Sequence, residues 1–126
     1  MNRRFLLGVA PLVGLLPQRR SLAQSADGLI RLGALTDMSG TYRDLDGPNG
    51  TACVQQAIAE IMAETPGLRV EIVVADHQNR PDIASAIVRE WFDRGAVDAL
   101  VQVGNTAVAL AANTVAREKD SNCSRP

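Results

Sequence analysis

The stretch Leu29-Ile-Arg-Leu-Gly-Ala-Leu-Thr-Asp-Met-Ser-Gly40 decides the fold, because an apolar run ends there in a polar loop. The run from Leu29 to Thr36 is typical of a central parallel strand that is covered on both faces. The polar loop continues to Asn49, and a helix is predicted from about Gly50 to Glu64. Thr65-Pro66-Gly67 ends this helix, because proline cannot continue it and glycine suits the turn. The chain therefore opens with one strand–loop–helix unit.

The same order of elements occurs twice more. The second unit has a β-branched strand from Val70 to Ala75, a turn from Asp76 to Pro81 and a helix that runs to about Arg94. The third unit has a strand from Asp98 to Val103 and a turn from Gly104 to Thr106, and a helix follows. Strands that alternate with helices are joined by right-handed crossovers. The sequence therefore predicts the α/β fold class, with three βα units forming a parallel sheet flanked by helices.

Apolar residues follow helical spacing in each predicted helix, so that each helix has one apolar face. In the first helix this face has Val54, Ala57, Ile58, Ile61 and Met62. In the second it has Ile83, Ala84, Ile87, Val88 and Trp91, and in the third Val108, Ala111, Ala112 and Val115. These faces are predicted to pack against the sheet.

The first residues are typical of a secretory signal. Arg3 and Arg4 precede an apolar run from Phe5 to Leu16, and Ser21-Leu22-Ala23 has small residues where a signal peptidase recognises them. An apolar run of about 12 residues is too short for a permanent membrane span. We predict a signal peptide over residues 1–23 and a periplasmic location after cleavage. An uncleaved anchor is the alternative.

Charge and aromatic content argue against several classes of partner. Four of the thirteen Lys and Arg residues lie in the predicted signal, and all fourteen acids follow it. The remainder therefore has nine basic and fourteen acidic groups, a net charge of −5. Nucleic acid and anionic membranes require a basic surface. One Trp, one Tyr and two Phe are also too few for a stacking platform, so nucleic acid is not a predicted partner.

The pattern of elements breaks after Lys119. Residues 120–126 contain no apolar residue except Cys123, at a point where the order of elements requires a fourth strand. We expect residues 24–119 to form a partial lobe and residues 120–126 to be an aberrant, disordered tail of a truncated chain. An open sheet edge then predicts marginal stability. Cys53 is predicted to be buried and Cys123 incidental, with a disulfide between them as the alternative.

Three polar segments, residues 37–43, 76–80 and 104–107, follow the three strands. The carboxyl edge of an open parallel sheet is where such folds bind ligands. Two of these segments abut a helix start, whose unpaired N–H groups and positive dipole favour an anion. Asn105 and Thr106 are therefore candidates to hold an anionic group. A simple N-cap role for either residue is the equal alternative.

Enzyme motifs are absent from the sequence. Neither G-x-G-x-x-G after the first strand nor G-x-x-x-x-G-K occurs, and Ser39 lacks the flanking glycine of a nucleophile elbow. His77 is the only histidine, so neither a metal site nor a cofactor is predicted. Asp37 and Asp76 are a candidate acid–base pair, although acids at such positions more often bind loop N–H groups. A small enzyme that uses Asp37, Ser39, Asp76 and His77 is the weakest alternative.

Three phrases of the sequence together resemble one family. They are Leu32-Gly-Ala-Leu-Thr-Asp-Met-Ser-Gly40, Val74-Ala-Asp-His-Gln-Asn-Arg-Pro-Asp82 and Trp91-Phe-Asp-Arg-Gly-Ala-Val-Asp98. The family is the branched-chain amino acid type (Leu/Ile/Val-binding) of periplasmic substrate-binding proteins from ABC transporters. The resemblance extends from about Gly28 to Lys119. It implies part of the first lobe of a type I periplasmic binding protein fold.

The resemblance also implies a function that is not enzymatic. Such proteins capture an amino acid, an amide or a small organic acid between two lobes and deliver it to an ABC transporter permease in the membrane. The implied ligand contacts are Ser39, Gly40, Tyr42, His77, Gln78, Asn105, Thr106 and Ala107. Because the second lobe is missing, we expect that the chain does not bind a solute alone. The alternative is the ligand-binding ectodomain of a receptor or sensor, which shares the lobe architecture.

Overall fold

The computed structural model describes residues 28–119 of the chain. The predicted signal peptide, the predicted tail and Cys123 lie outside the described residues. Three strands and three helices alternate in this part: β1 (Leu29–Thr36), α1 (Gly47–Glu64), β2 (Arg69–Asp76), α2 (Pro81–Asp93), β3 (Ala99–Val101) and α3 (Thr106–Glu118). The predicted order of three βα units is confirmed.

The three strands form one parallel sheet in the order β2-β1-β3. β1 pairs with β2 along its whole length, from Leu29 opposite Arg69 to Thr36 opposite Asp76. Across the sheet, the step from β1 to β2 and the step from β2 to β3 run in opposite directions. Right-handed crossovers therefore place α1 and α2 on opposite faces of the sheet. Since α3 packs against α2, the sheet has two helices on one face and one on the other.

The hydrophobic core lies between the sheet and the two packed helices. Its buried members are Leu35, Ala84, Val88, Trp91, Val97, Leu100, Val108, Ala112 and Val115. Every helical member belongs to α2 or α3. The Trp91 ring lies directly over β1, where a Cβ on Gly33 would stand 2.6 Å from its Cζ3 atom. Glycine in the middle of β1 is therefore explained by the close approach of the indole.

The other face of the sheet is covered less completely, and here one prediction is wrong. Cys53 is exposed rather than buried, because only Gly47 and Thr51 are buried in α1. The predicted apolar face of α1 is also partly open, with Ile61 46% and Met62 38% exposed. No second helix of the described part packs beside α1, so its flanks remain accessible to solvent.

Two element boundaries differ from the prediction for local reasons. Helix α1 begins at Gly47 instead of about Gly50, because Pro48 fits the first turn of a helix. Strand β3 ends at Val101 instead of Val103. Gln102 has φ +56°, a left-handed conformation that ends the extended strand. Helix α2 is predicted to run to about Arg94 and ends at Asp93, and Gly95 follows with φ +61°, a conformation that suits the end of a helix.

Candidate functional site

The site lies at the edge where all three parallel strands end. We name the segments that follow the strands loop 1 (residues 37–46), loop 2 (residues 77–80) and loop 3 (residues 102–105). The predicted contact residues that are exposed there are Ser39, Tyr42, Gln78, Thr106 and Ala107, while Gly40 and Asn105 are half-buried. The fold therefore brings these seven predicted residues to one edge of the sheet.

Loop 1 is folded around the buried carboxylate of Asp37. Its Oδ1 accepts a hydrogen bond from the Gly40 N–H at 2.6 Å, and its Oδ2 accepts one from the Tyr42 N–H at 2.9 Å. A Cβ on Gly40 would stand 2.5 Å from Asp37 Oδ1, so the chain passes too close to the carboxylate for a side chain. This arrangement holds residues 39–42 at the open edge.

The carboxylate of Asp76 ties loop 1 to the end of β2. Its Oδ1 accepts hydrogen bonds from the Met38 N–H at 3.0 Å and the Gln78 N–H at 2.8 Å. Its Oδ2 accepts one from the Ser39 hydroxyl at 2.6 Å. Asp37 and Asp76 thus bind loop N–H groups, which is the alternative that the sequence offered to an acid–base pair.

These contacts change the acidity of Asp76. Partial burial on its own raises the pKa of this carboxyl group. The hydrogen bonds from Ser39, Gln78 and Met38, together with the nearby imidazole of His77, outweigh that effect and hold the pKa below its ordinary value of 3.8. The ionised carboxylate is therefore the form that the folded loops favour.

The lowered pKa of Asp76 predicts a loss of stability in acid. The folded state binds a proton more weakly than the unfolded state, so the Asp76 contribution is complete above the unfolded pKa, 3.8, and is lost as the pH falls below it through the folded pKa. We expect urea unfolding of Asp76→Asn to show a shallower acid limb than the wild type. Asp44→Asn, at an exposed position of loop 1, is the control. Identical pH profiles for wild type and Asp76→Asn would refute this prediction.

Loop 2 is a tight turn built around His77. Gln78 and Asn79 both adopt positive φ, and the His77 Nδ1 accepts a hydrogen bond from the Asn79 N–H at 3.0 Å. The ring is fully buried, and its Nε2 atom has no hydrogen-bond partner among the described residues. His77 is buried where the other predicted contacts are exposed or half-buried, and its direct contact with a solute stays a prediction.

Loop 3 connects loop 2 to the start of α3 through Asn105. Its Nδ2 donates a hydrogen bond to Asn79 Oδ1 at 2.6 Å, and its Oδ1 accepts one from the Val108 N–H at 3.1 Å. The second bond makes Asn105 the N-cap of α3. Thr106 and Ala107 lie in the first turn, where N–H groups have no acceptor within the helix. The cap alternative thus holds for Asn105, and Thr106 and Ala107 are exposed in the first turn of α3.

A polar cluster beside α1 was missed from the sequence. The Gln102 amide donates to Thr36 Oγ1 at 3.1 Å and to the Asp46 carbonyl oxygen at 2.6 Å, and Thr36 Oγ1 donates to Asp46 Oδ2 at 3.1 Å. The Thr51 hydroxyl completes the cluster with a bond to Gln102 Oε1 at 3.4 Å. A lone glutamine inside the apolar run 99–103 was the one signal that the sequence contained.

No group of three His, Cys, Asp or Glu residues within residues 28–119 has the arrangement of a metal site. Nor does any helix in that range have the length and apolarity that a membrane span requires.

Comparison with known families identifies the chain. Residues 29–123 match the family described as periplasmic binding protein. The chain belongs to this family. No curated protein matches the sequence.

Solved structures agree with the family. A periplasmic binding protein from Burkholderia mallei is 45% identical, with a TM-score of 0.68 over 75% of this chain and 25% of its own. A branched-chain amino acid ABC transporter periplasmic ligand-binding protein from Burkholderia xenovorans is 42% identical, with a TM-score of 0.67 over 75% of this chain and 25% of its own. This chain thus spans about a quarter of the length of these two relatives.

More distant structures contain ligands. The substrate-binding protein of a branched-chain amino acid transporter from Streptococcus pneumoniae, solved with isoleucine, is 22% identical with a TM-score of 0.67 over 75% of this chain and 28% of its own. A solute-binding protein from R. palustris, solved with benzoate, is 25% identical with a TM-score of 0.63 over 72% of this chain and 25% of its own. Both support the fold, which is a fragment of the type I periplasmic binding protein fold.

Proposed function

We propose that this chain provides one wall of the solute-binding cleft of an ABC transporter's substrate-binding protein. The observation that carries the proposal is the meeting of loop 1 and the first turn of α3 at one open edge, in a chain that is 45% identical to a periplasmic binding protein. In the complete protein a permease in the membrane would receive the solute. No catalytic residue is part of this proposal.

The solute that fits this wall best is a small amino acid or organic acid with a carboxylate. The N–H groups of Thr106 and Ala107 lie at a helix start, where the dipole favours a negative charge. Loop 1 adds the exposed Tyr42, whose hydroxyl can donate to a carboxylate, and the exposed Ser39, whose hydroxyl already donates to Asp76 and can only accept. Isoleucine and benzoate, the ligands of two solved relatives, both carry a carboxylate.

One wall alone is expected to bind weakly. Small-molecule sites bury most of the ligand surface, and a single open edge leaves much of that surface in water. We therefore expect a Kd of about 1–10 mM for L-isoleucine or benzoate, measured by two-dimensional NMR titration of the chain. The shifted amides should lie in residues 38–42 and 105–108. Micromolar binding would contradict the one-wall proposal, and the absence of any shift at about 10 mM solute would contradict the site.

The substitution Thr106→Pro tests the helix N–H groups directly. Proline is tolerated at the first helical position and removes one N–H group there. The preceding Asn105 is already extended, with φ −103° and ψ 128°, as a residue before proline requires. We expect the Kd for benzoate to rise at least about threefold, since one hydrogen bond to a charged group is lost. Thr114→Ala, at an exposed position of the same helix, should leave the Kd for benzoate unchanged.

Export also belongs to the proposal. The segment 1–23 has the charge pattern and the apolar length of a cleaved signal, and the family is periplasmic. Mature protein recovered from the periplasm should therefore begin at Gln24. Recovery of the intact amino terminus in the membrane fraction would instead support an uncleaved anchor.

A further inference from the structure

The three loops of the edge are tied to one another in pairs. Asp76, at the end of β2, joins loop 2 to loop 1, because its carboxylate accepts the Gln78 N–H as well as the Met38 N–H and the Ser39 hydroxyl. The Asn79–Asn105 bond joins loop 2 to loop 3. Gln102 joins loop 3 back to loop 1 through its side-chain amide, so the three connections form a closed ring.

Gln102 differs from the other two connections because its bonds reach both ends of loop 1. Its Nε2 lies 3.1 Å from Thr36 Oγ1, just before the loop, and 2.6 Å from the Asp46 carbonyl oxygen, at the loop's end. The Gly47 carbonyl oxygen is 3.3 Å away. One amide group therefore fixes where loop 1 leaves β1 and where it enters α1.

The surroundings of Gln102 are closely packed. A Cβ on Gly50 would overlap Gln102 Nε2, and a Cβ on Gly104 would stand 2.7 Å from Asp46 Oδ2. Thr36 is fully buried, so its hydroxyl depends on this cluster for its hydrogen bonds. Gln102 itself adopts φ +56°, which costs a non-glycine residue some free energy. Its backbone strain is thus balanced by the contacts of its side chain.

The cluster is separate from the hydrophobic core. The core helices are α2 and α3. Asp46 ends loop 1, and Gly47 and Thr51 belong to the start of α1 on the opposite face of the sheet. Loss of the Gln102 amide therefore removes contacts of loop 1 without opening the core. Replacing a residue that only stabilises the whole fold would instead speed amide exchange on both faces of the sheet.

We propose that Gln102 is a positioning residue for solute binding, which sets the separation of loop 1 from the first turn of α3. The proposal rests on the proposed function for its purpose, but its structural content is independent of any ligand. Gln102 acts through Thr36 and Asp46 and does not touch the solute. The solute contacts on the two sides of the edge are thereby held in place before binding, which lowers the ordering cost of association.

Amide hydrogen exchange of Gln102→Asn tests the proposal. Asparagine tolerates left-handed φ, but its shorter side chain cannot span the same distances. Loss of two hydrogen bonds should speed exchange of the amides in residues 40–47 by about ten- to a hundredfold. Exchange in β2 and in the centre of α2 should change by less than about twofold. Gln56→Ala, which removes only an exposed bond to Glu60 within α1, is the matched control.

Each outcome of this experiment decides the proposal. Faster exchange confined to loop 1 and loop 3 supports it, and a uniform increase across the chain or no increase at all overturns it. Wild-type loop 1 amides that exchange like those of an unstructured peptide overturn it as well. Gln102→Gly provides a second variant that removes the backbone strain along with the amide, and it should show the same local pattern.

A titration with benzoate separates this proposal from the proposed function. If the wild type binds benzoate as expected, Gln102→Asn should raise the Kd for benzoate at least about threefold, while Gln56→Ala leaves that Kd unchanged. Unchanged benzoate binding in Gln102→Asn, beside faster loop exchange, would overturn the positioning role. If the wild type shows no benzoate or isoleucine shifts, the proposed function fails and the exchange pattern still decides whether Gln102 holds the loops.

Discussion

The Trp91→Ala variant is expected to lose about 3–5 kcal/mol of unfolding free energy, the largest loss of any single substitution in the core. The indole is only 9% exposed, and it fills the space between α2 and the Gly33 backbone of β1. Because Gly33 has no side chain, nothing from the sheet can move into the space that the indole leaves. The cavity therefore stays open, and its cost adds to the lost burial of the ring.

This loss is large relative to the whole stability. Globular domains have about 0.05–0.15 kcal/mol per residue, so the 92 described residues predict about 5–14 kcal/mol. The partly open face beside α1 favours the lower end of that range. Urea unfolding followed by circular dichroism should show a much lower midpoint for Trp91→Ala. The exposed Leu110→Ala should change the midpoint little, and an equal effect of both variants would contradict this assignment of the core.

The fold could be predicted from the sequence because its signals are local. The β-branched run of β2, the proline at the start of α2 and the glycine that ends it lie within a few residues of the boundaries that they set. The coverage of α1 could not be predicted in this way. Helical spacing identifies an apolar face, but which elements pack on it depends on the order β2-β1-β3 and on the position of α3.

The site shows the same division between local and distant causes. Asn105 could be recognised as a cap because its partner Val108 is three residues away. The role of Gln102 depends on Thr36, 66 residues earlier in the chain, and no local pattern contains that contact. The short β3 has the same cause, since Gln102 leaves the strand to make its bonds.

His77 is the residue for which the resemblance and the alternation of the strand disagreed. Val73 and Ala75 pack against the core, and side chains in a strand alternate between faces. Continuing that alternation would place His77 on the core side and Asp76 on the other side. The structure shows that His77 is fully buried and that Asp76 contacts loop 1. The period of two in β2 could therefore have predicted the burial of His77, whereas the resemblance assigned it to the ligand.

The second large effect is expected for Asp37→Ala, which should unfold loop 1. The Asp37 carboxylate is buried and accepts the N–H groups of Gly40 and Tyr42. Alanine provides no acceptor, so both N–H groups must either stay unpaired or turn outward to water. Since each unsatisfied group costs about 1–3 kcal/mol, we expect a loss of about 2–4 kcal/mol in unfolding free energy. The amides of residues 38–46 should lose their protection from exchange at the same time.

Two comparison variants separate this cause from a change in net charge. Asp44→Ala removes an acid of the same loop whose side chain is 88% exposed, and it should leave both stability and exchange nearly unchanged. Asp37→Asn keeps one oxygen acceptor and should fall between the wild type and Asp37→Ala. If Asp44→Ala were as damaging as Asp37→Ala, charge rather than the two N–H bonds would hold the loop. If neither Asp37→Ala nor Asp37→Asn altered amide exchange, loop 1 would be held by the contacts of Asp76 and Gln102 without Asp37.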